Sequence, residues 1–433
     1  MSLMLLYYSR ILSGGTIVDK TLLWLWLSLH MKQGTHVYQY LLEEFGSIEA
    51  IYNCEDNDVK NLPWLYDNQK KKILDKNLDR ASEVLRWCNK AGVKIVTLDD
   101  DDYPATLKDI VDRPGVLYYV GNLPDFNKEL SIGVVGTREM TAYGQRCAFE
   151  IGYGLTKGGA IVVSGGALGI DCTAQKGAIA AGGTTISILG SGIDVLYPPQ
   201  NKELFVKIMQ VGAVITEYPP FTPPNRYNFP VRNRLISGIS KGVVVVEGDK
   251  NSGAMITAEK TKLQHRHLFS VPGPINVFQS TGTNELIRSG AKSVTCALDV
   301  LEEYLDLYRD KIQITPSKEK PNLKLLNDFD DKENNPLKSF LEMIGFNRNA
   351  KRKTKKDDLK AQKENTEKSI DIDALGVDEN AKKIYNFMEK NKKYNADSFG
   401  DLGLKTNVIM SSFTILEIFG AVKSLPGGFF EKI

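Results

Sequence analysis

Short apolar runs recur through the middle of the chain, separated by glycine-rich breaks and by stretches whose apolar positions have helical spacing. Six such runs lie between residues 131 and 295, at 132–135, 160–163, 185–189, 213–216, 242–246 and 268–271. Continuous apolar runs of this length are typical of strands buried on both faces. Their alternation with helices predicts an α/β fold with a mostly parallel sheet. The glycine-rich loops would then share one edge of the sheet, where ligands of open α/β sheets bind.

The segments on either side have different patterns. Helical spacing of apolar positions before residue 90 predicts a small helical domain over 1–92, and the α/β domain is expected over 93–310. The apolar stretch 22–29 is far shorter than the ~20 residues that span a bilayer, so we expect a buried helix there and no membrane segment. Residues 348–368 hold nine Lys or Arg and four Asp or Glu, which predicts a basic, disordered linker over 311–370.

The last segment, residues 371–433, regains helical spacing and ends in a pattern typical of a small β-hairpin. Two or three helices closed by a hairpin predict a winged-helix-like domain. The expected recognition helix, residues 406–419, contains no Lys or Arg. Because reading a major groove requires basic and amide side chains, the pattern favours a protein-interaction module over a DNA reader.

Overall charge identifies no partner, since 55 basic and 53 acidic residues leave a net charge of +2. Five scattered cysteines without a CxxC pair argue against a disulfide framework and a zinc site. Together with the missing secretory signal, they favour the cytoplasm. Four consecutive aspartates at 99–102 could suggest a metal site, but adjacent carboxylates in an extended segment diverge, which favours a solvated turn.

Glycine-rich loops follow the first three predicted strands. Their candidate ligand-facing residues are Gly136, Thr137, Arg138, Ser164, Gly165 and Gly166, followed by a third loop at 190–199. Glycines allow a ligand close to the backbone, and loop amides at helix starts favour an anion. Neither the dinucleotide fingerprint nor the P-loop pattern is present. Three such loops predict a phosphate-rich ligand, with tight strand–helix packing as the alternative.

A proline-rich segment, residues 218–236, leads into the next predicted helix. Its candidate contact residues are Arg226, Phe229, Arg232, Asn233 and Arg234. Cations at a helix start oppose the helix dipole, so an anion or a buried carboxylate such as Glu217 or Glu247 is expected nearby. Aromatic rings beside arginines suit a single-stranded nucleic acid, on whose bases they could stack. An internal Arg–Glu network is the alternative.

No catalytic arrangement of serine, histidine and carboxylate stands out among the four histidines, and His265 and His267 lack a nearby third ligand. We therefore expect neither an enzyme nor a bound metal or cofactor.

Many of these motifs, taken in order, resemble those of the DNA-processing protein A family (DprA, also called Smf) over about residues 95–301. They include Val135-Gly-Thr-Arg138, Ser164-Gly-Gly-Ala-x-Gly-Ile-Asp171, Leu189-Gly-x-Gly-Ile-Asp194, Glu217-Tyr-Pro-Pro220, Phe229-Pro-x-Arg-Asn-Arg-x-Ile236, Val271-Pro-Gly273 and Gly282-Thr-Asn-x-Leu-Ile287. The chain departs from the family pattern at Gln175, usually histidine, and at Leu168, basic in some members.

The resemblance implies a doubly wound Rossmann-like domain that forms a homodimer, binds single-stranded DNA without strong sequence preference and helps load a RecA-type recombinase during natural transformation. By the same resemblance, the arginines and loop amides would hold phosphates, and Phe229 would contact bases.

A rival interpretation is an enzyme that cleaves nucleoside monophosphates at the sugar. Related Rossmann-like enzymes of that class carry a P-G-G-x-G-T-x-x-E signature. Here the closest stretches, 271–274 and 281–285 with Glu285, are separated and lack the paired glycines.

Overall fold

The computed structural model describes residues 19–313, 322–326, 337–346, 379–389, 392–404, 406–418, 421–425 and 429–432. The chain divides into two compact units, Met1–Phe346 and Asn347–Ile433. The predicted basic stretch at 348–368 lies outside the described residues.

The large unit is built on one nine-stranded sheet within the described residues. Its strands are β1 (Lys94–Thr97), β2 (Val116–Gly121), β3 (Ser131–Val135), β4 (Ile161–Ser164), β5 (Thr185–Ile188), β6 (Ala213–Thr216), β7 (Gly242–Val245), β8 (His267–Ser270) and β9 (Lys292–Ser293). The strand order is β1-β2-β6-β5-β4-β3-β7-β8-β9. The seven strands from β6 to β9 are parallel, whereas β2 runs antiparallel to both β6 and β1.

Helices precede the sheet and connect its strands. Those before β1 are α1 (Lys20–His30), α2 (Val37–Phe45), α3 (Ile48–Asn53), α4 (Asp56–Lys60), α5 (Asp67–Leu74) and α6 (Asp79–Ala91). The others in the large unit are α7 (Ala105–Lys108), α8 (Ala142–Lys157), α9 (Ile170–Ala180), α10 (Lys202–Val211), α11 (Asn228–Ile239), α12 (Gly253–Leu263), α13 (Thr281–Arg288), α14 (Ala297–Leu301) and α15 (Lys338–Met343). Helices α8 and α12 begin at side-chain caps, where the hydroxyls of Thr141 and Ser252 accept hydrogen bonds from the amides of Gly144 and Ala254.

The six strands predicted from the apolar runs are all present, and the α/β class with a Rossmann-like, mostly parallel sheet is confirmed. Strands β4, β5 and β6 extend from β3 to one side, and β7 to β9 extend to the other. The direction of winding therefore reverses at β3 and β7. In open α/β sheets this reversal opens a crevice at the carboxyl ends of the strands.

Two features of the large unit differ from the sequence expectations. Residues 93–119, whose pattern predicts only a connecting segment, supply β1 and β2, an antiparallel pair that joins the sheet through β6. The pattern of residues 301–309 predicts a last helix, but the structure has α14, a short 3-10 helix (Glu302–Tyr304) and turns there. Both segments are short, and their structure depends on pairing or packing with the preformed sheet.

The helical segment before β1 shares a hydrophobic core with the sheet. Helix α1 buries its apolar stretch, as expected, and the indole of Trp24 donates a hydrogen bond to Asp99 at 2.9 Å. One cluster of buried side chains runs from these helices to residues of β5 and β6. The expected boundary at residue 92 therefore lies within a compact unit, immediately after α6.

The small unit has its own core and its own three-stranded antiparallel sheet within the described residues. Its elements are α16 (Glu379–Phe387), β10 (Lys393–Tyr394), a 3-10 helix (Ala396–Leu402), α17 (Thr406–Ile418), β11 (Val422–Leu425) and β12 (Phe429–Lys432). The rings of Phe413 and Phe430 stack 4.0 Å apart and join α17 to the sheet. The winged-helix assignment stays a prediction.

Among the described residues, no helix is both long enough and apolar enough to cross a bilayer.

Candidate nucleic-acid interface

A cavity of about 720 Å³ opens at the carboxyl edge of the sheet, where the winding reverses. Its walls come from the loop after β3, the loop after β4, Tyr197, the segment leading into α11, and the start of α12. The cavity combines exposed arginines with aromatic and proline side chains. We call it the edge pocket.

The loop after β3 is fixed by Glu247, which follows β7. The buried Glu247 carboxylate accepts hydrogen bonds from the Thr141 amide at 2.8 Å and the Thr141 hydroxyl at 2.7 Å. The carbonyl of Glu247 accepts from the Thr137 amide at 2.7 Å. At Gly136 a Cβ atom would lie 2.7 Å from that carbonyl, so only glycine allows this approach. Glu247 thus sets the direction in which Arg138 leaves the loop.

The loop after β4 is held from inside by Asp171. Its buried carboxylate accepts a hydrogen bond from the Gly165 amide at 3.1 Å, and the Ser164 hydroxyl donates to the carbonyl of Val134 at 2.6 Å. Burial raises the pKa of Asp171, and the nearby Arg232 guanidinium opposes that shift. Ser164 and Gly165 therefore already use these groups in the fold. The role predicted for them as phosphate contacts is replaced by a role in shaping the edge pocket.

Arg232 joins α11 to two of these loops. It is 4% exposed, and its Nη1 donates to the carbonyls of Gly165, at 2.8 Å, and Ile188. Burial lowers the pKa of Arg232 to about 10, so the group stays protonated at neutral pH. Arg232 borders the edge pocket and gives it positive charge, while its donors are largely committed to the protein. Asn233, beside it, accepts from Arg232 Nε at 3.2 Å and donates to the Gly253 carbonyl at 3.3 Å.

The ring of Phe229 lines the edge pocket. The guanidinium carbons of Arg138 and Arg232 lie 5.6 Å and 6.0 Å from its centroid, and the Tyr197 ring lies 5.6 Å away. Arg138 is exposed, so its charge faces solvent beside the ring. This arrangement brings a flat apolar surface next to cations, as a base attached to a phosphate requires.

Arg226 lies on the outer wall of the edge pocket. It is exposed, and its guanidinium donates to the Tyr227 hydroxyl at 2.7 Å and lies 4.8 Å from the centroid of that ring. The predicted contacts Arg138, Arg226, Phe229, Arg232 and Asn233 therefore come together in one cavity.

Arg234 does not line the edge pocket. It is 1% exposed and makes a bidentate pair with Glu217, at 2.7 Å and 2.8 Å, while its Nε lies 3.3 Å from Asp112. Burial lowers the pKa of Arg234, whereas the carboxylates of Glu217 and Asp112 raise it. The pKa of Arg234 is raised on balance. The predicted phosphate contact at Arg234 is thus corrected to an internal ion pair, the alternative that the sequence left open.

Sequence reasoning missed Tyr197, Asp249 and Ser252 as pocket residues. Tyr197 belongs to the third glycine-rich loop, whose aromatic and proline residues were the available signal. Asp249 and Ser252 reach the edge pocket through the pairing of β7 with β3, which no local pattern predicts.

The two departures from the family pattern have different surroundings. Gln175 is fully buried and donates from Nε2 to the Ile186 carbonyl at 3.0 Å, which ties α9 to β5. Leu168 is exposed on the loop after β4. Gln175 therefore has a packing role that needs no imidazole.

The other candidate chemical groups have structural roles. His267 contacts the Tyr304 hydroxyl at 3.2 Å, and Asp100 accepts hydrogen bonds from the amide and hydroxyl of Thr97. Within the described residues, no cluster of three His, Cys, Asp or Glu side chains could hold a metal ion.

This doubly wound α/β chain has an open pocket at its switch point, where the exposed Arg138 and the buried Arg232 flank the Phe229 ring. The family model described as DNA recombination-mediator protein A matches residues 94–305. Protein Smf from Synechocystis is 42% identical over 204 residues, which are 46% of this chain and 51% of that relative. The DNA processing protein DprA from Bacillus subtilis is 37% identical over 224 residues, which are 52% of this chain and 75% of that relative.

The fold agrees with these sequence matches. The X-ray structure of DNA processing protein A (DprA) from Streptococcus pneumoniae superposes with a TM-score of 0.58 at 31% identity, covering 67% of this chain and 99% of that one. The chain belongs to the DNA recombination-mediator protein A family. It spans about half of the Synechocystis relative and about three quarters of the Bacillus one.

The ion pair of Arg234 predicts a loss of stability rather than a loss of ligand binding on substitution. We expect Arg234→Met to lower the free energy of unfolding by about 3–5 kcal/mol, because Glu217 would remain buried without its partner. The double variant Glu217→Leu/Arg234→Met should recover part of that loss, and Arg138→Ala should change stability by less than about 0.5 kcal/mol. Urea unfolding followed by circular dichroism measures the free energy of unfolding of each variant. An Arg234→Met protein as stable as the wild type would contradict the assignment.

Proposed function

We propose that this chain binds single-stranded DNA, without strong sequence preference, in the edge pocket and helps load a RecA-type recombinase onto it. The observation that carries the proposal is the Phe229 ring, which has an exposed guanidinium and a second, buried one within 6.0 Å and lies in an open cavity. A ligand that offers both a planar base and a phosphate satisfies this combination.

The phosphates would be held by Arg138 and Arg226, whose side chains are exposed. The charge of Arg232 adds to the potential of the edge pocket, and so does the amino-terminal end of α12 at Ser252. Glu139 and Asp249 also line the cavity, so its field is positive only near the arginines. The backbone of the strand should therefore follow the Arg138–Arg226 side.

Weak sequence preference follows from the shortage of groups that could read base edges. Asn233 is the amide side chain that lines the edge pocket, and both ends of its amide already have hydrogen-bond partners in the protein. Stacking on Phe229 accepts any base, since every base has a π face. An unpaired strand is required, because in a duplex the faces of the bases are covered by their neighbours.

The proposed mechanism makes and breaks no covalent bond. The buried carboxylate of Asp171 holds the loop after β4, and that of Glu247 holds the loop after β3. Glu285, the carboxylate that the rival hydrolase interpretation needs, pairs with Arg288 and Lys250 and is not among the pocket residues. The family description as a recombination mediator also favours binding over catalysis.

Substitution of the exposed arginines tests DNA binding directly. Arg138→Ala and Arg226→Ala should each weaken binding of a labelled oligo-dT about tenfold, on the order of 1.4 kcal/mol. Each should also flatten the dependence of log K on log salt by about 0.7 for every phosphate that is no longer neutralised. Fluorescence anisotropy across a salt series measures both quantities.

A matched control is Lys128→Ala, since Lys128 is an exposed cation on the loop before β3, at the opposite edge of the sheet. The oligo-dT affinity and the salt slope of the Lys128→Ala variant should equal those of the wild type. Wild-type affinity in both arginine variants would exclude the edge pocket as the DNA site.

Phe229 tests the stacking part of the proposal. Phe229→Ala should cost about 1–3 kcal/mol of binding free energy without changing the salt slope, because no charge is removed. Phe229→Tyr should retain most of the affinity. If Phe229→Ala instead changed the slope and left the affinity at low salt intact, the ring would not contact bases.

Recombinase loading and the homodimer are the parts of the proposal that rest on family membership. We expect the chain to accelerate ATP hydrolysis by a RecA-type recombinase on DNA already coated with single-strand-binding protein. Light scattering of the pure protein should give twice the mass of one chain. If saturating protein did not accelerate ATP hydrolysis, recombinase loading would be contradicted. A mass equal to that of one chain would contradict the homodimer.

A further inference from the structure

The edge pocket does not explain the backbone conformation of Phe221. Its φ of +66° lies in the left-handed region, where a bulky side chain is strained. Its side chain is 65% exposed, so burial of the ring does not account for the strain. A large apolar side chain is therefore held toward solvent.

The local turn would be easier to make with glycine. The Thr222 amide donates to the Pro219 carbonyl at 3.3 Å, which closes a β-turn with Pro220 and Phe221 at its centre. Proline at the second position and a positive φ at the third are the features of a type II turn, which prefers glycine at that third position. Phenylalanine here costs conformational strain that glycine would avoid.

Three contacts hold the turn in place. The Phe221 amide donates to Asp194 Oδ1 at 2.7 Å, and the Gly192 amide donates to the Thr222 carbonyl at 2.9 Å. The Phe221 ring meets the half-buried Trp87 of α6 edge to face, with centroids 5.1 Å apart and the planes inclined at 68°. The ring is thus fixed in direction while much of its surface stays open.

The turn continues directly into the wall of the edge pocket. Pro224 and Arg226, three and five residues after Phe221, line the cavity. Phe221 therefore belongs to the same segment that supplies Pro224 and Arg226 to the wall of the edge pocket.

We propose that Phe221, supported by Trp87, is a second stacking platform for an unpaired base of the same strand that occupies the edge pocket. This inference rests on the proposed function and extends the path of the strand toward α6. The occupant is a base and not a phosphate, because the Phe221 side chain offers an exposed apolar ring and its backbone amide already donates to Asp194. The platform should add affinity for longer strands without adding to the salt dependence.

The test compares oligo-dT lengths from about 4 to about 16 nucleotides, the range of site sizes of single-strand-binding folds. The full-length protein is measured as wild type and as Phe221→Gly, Phe221→Leu, Phe221→Trp and Arg138→Ala. For the longest oligo-dT, Phe221→Gly and Phe221→Leu should bind about tenfold more weakly, and Phe221→Trp should bind like the wild type. For the shortest oligo-dT, the affinities of all three Phe221 variants should equal that of the wild type. The salt slopes of these variants should match the wild type at every length.

Two controls separate stacking from a role in folding. Phe221→Gly should unfold at the same or a higher temperature than the wild type, because glycine accepts the positive φ. Tyr66→Ala, which removes another exposed aromatic ring, should leave binding unchanged at every length.

The outcomes distinguish this inference from the proposed function. If Arg138→Ala weakens binding but Phe221→Gly and Phe221→Leu do not, the second platform is excluded and the edge pocket remains. If Phe221→Leu binds like the wild type while Phe221→Gly is weak, the side chain positions the loop instead of stacking, which also overturns the inference. A change of oligomeric mass in Phe221→Gly with unchanged DNA affinity would assign the ring to a second copy of the chain. Full binding by Arg138→Ala would reject the proposed function itself.

Discussion

The carboxyl edge of this sheet depends on the buried guanidinium of Arg232. From α11 it donates to the carbonyls of Gly165 and Ile188, after β4 and at the end of β5. The buried Asp171 carboxylate nearby accepts from the amide of the same Gly165. Both charged groups are taken out of water, which lowers the pKa of Arg232 and raises that of Asp171. The charge that fixes the loops also contributes to the field of the edge pocket.

Because of these contacts, some polar residues around the edge pocket fix the loops, and others remain exposed. Glu247, Asp171, Ser164 and Gly165 use their hydrogen-bonding groups to fix loops. Arg138 remains exposed on the loop after β3, beside the Phe229 ring, and Arg226 is exposed on the segment before α11. A fixed backbone with exposed cations loses little conformational freedom on binding, which is consistent with the proposed binding of a flexible strand. Trp87 of α6 contacts Phe221, which lies on the same segment as the pocket residues Pro224 and Arg226.

Much of the fold could be read from the chain because the signals were local. Strands buried on both faces leave continuous apolar runs, and all six predicted runs became β3 to β8. Strands β1 and β2 were not read as members of the sheet, because β2 joins it by antiparallel pairing with β6, far along the sequence, and β1 joins it through β2. Asp249 and Ser252 were missed as pocket residues for the same reason: strand order, which brings β7 beside β3, is not written in any local pattern.

The sequence by itself determined the α/β class, the edge of the sheet that carries the site, and the residue types available there. Only the tertiary structure decided that Arg232 borders the edge pocket and that Arg234 lies in an internal ion pair. Two residues apart on an α-helix are about 200° apart around its axis, so Arg232 and Arg234 lie on opposite sides of α11. One side of that helix faces the edge pocket, and the other faces Glu217 and Asp112. Which side is which follows from how α11 packs on the sheet, a long-range contact that the spacing of residues alone does not specify.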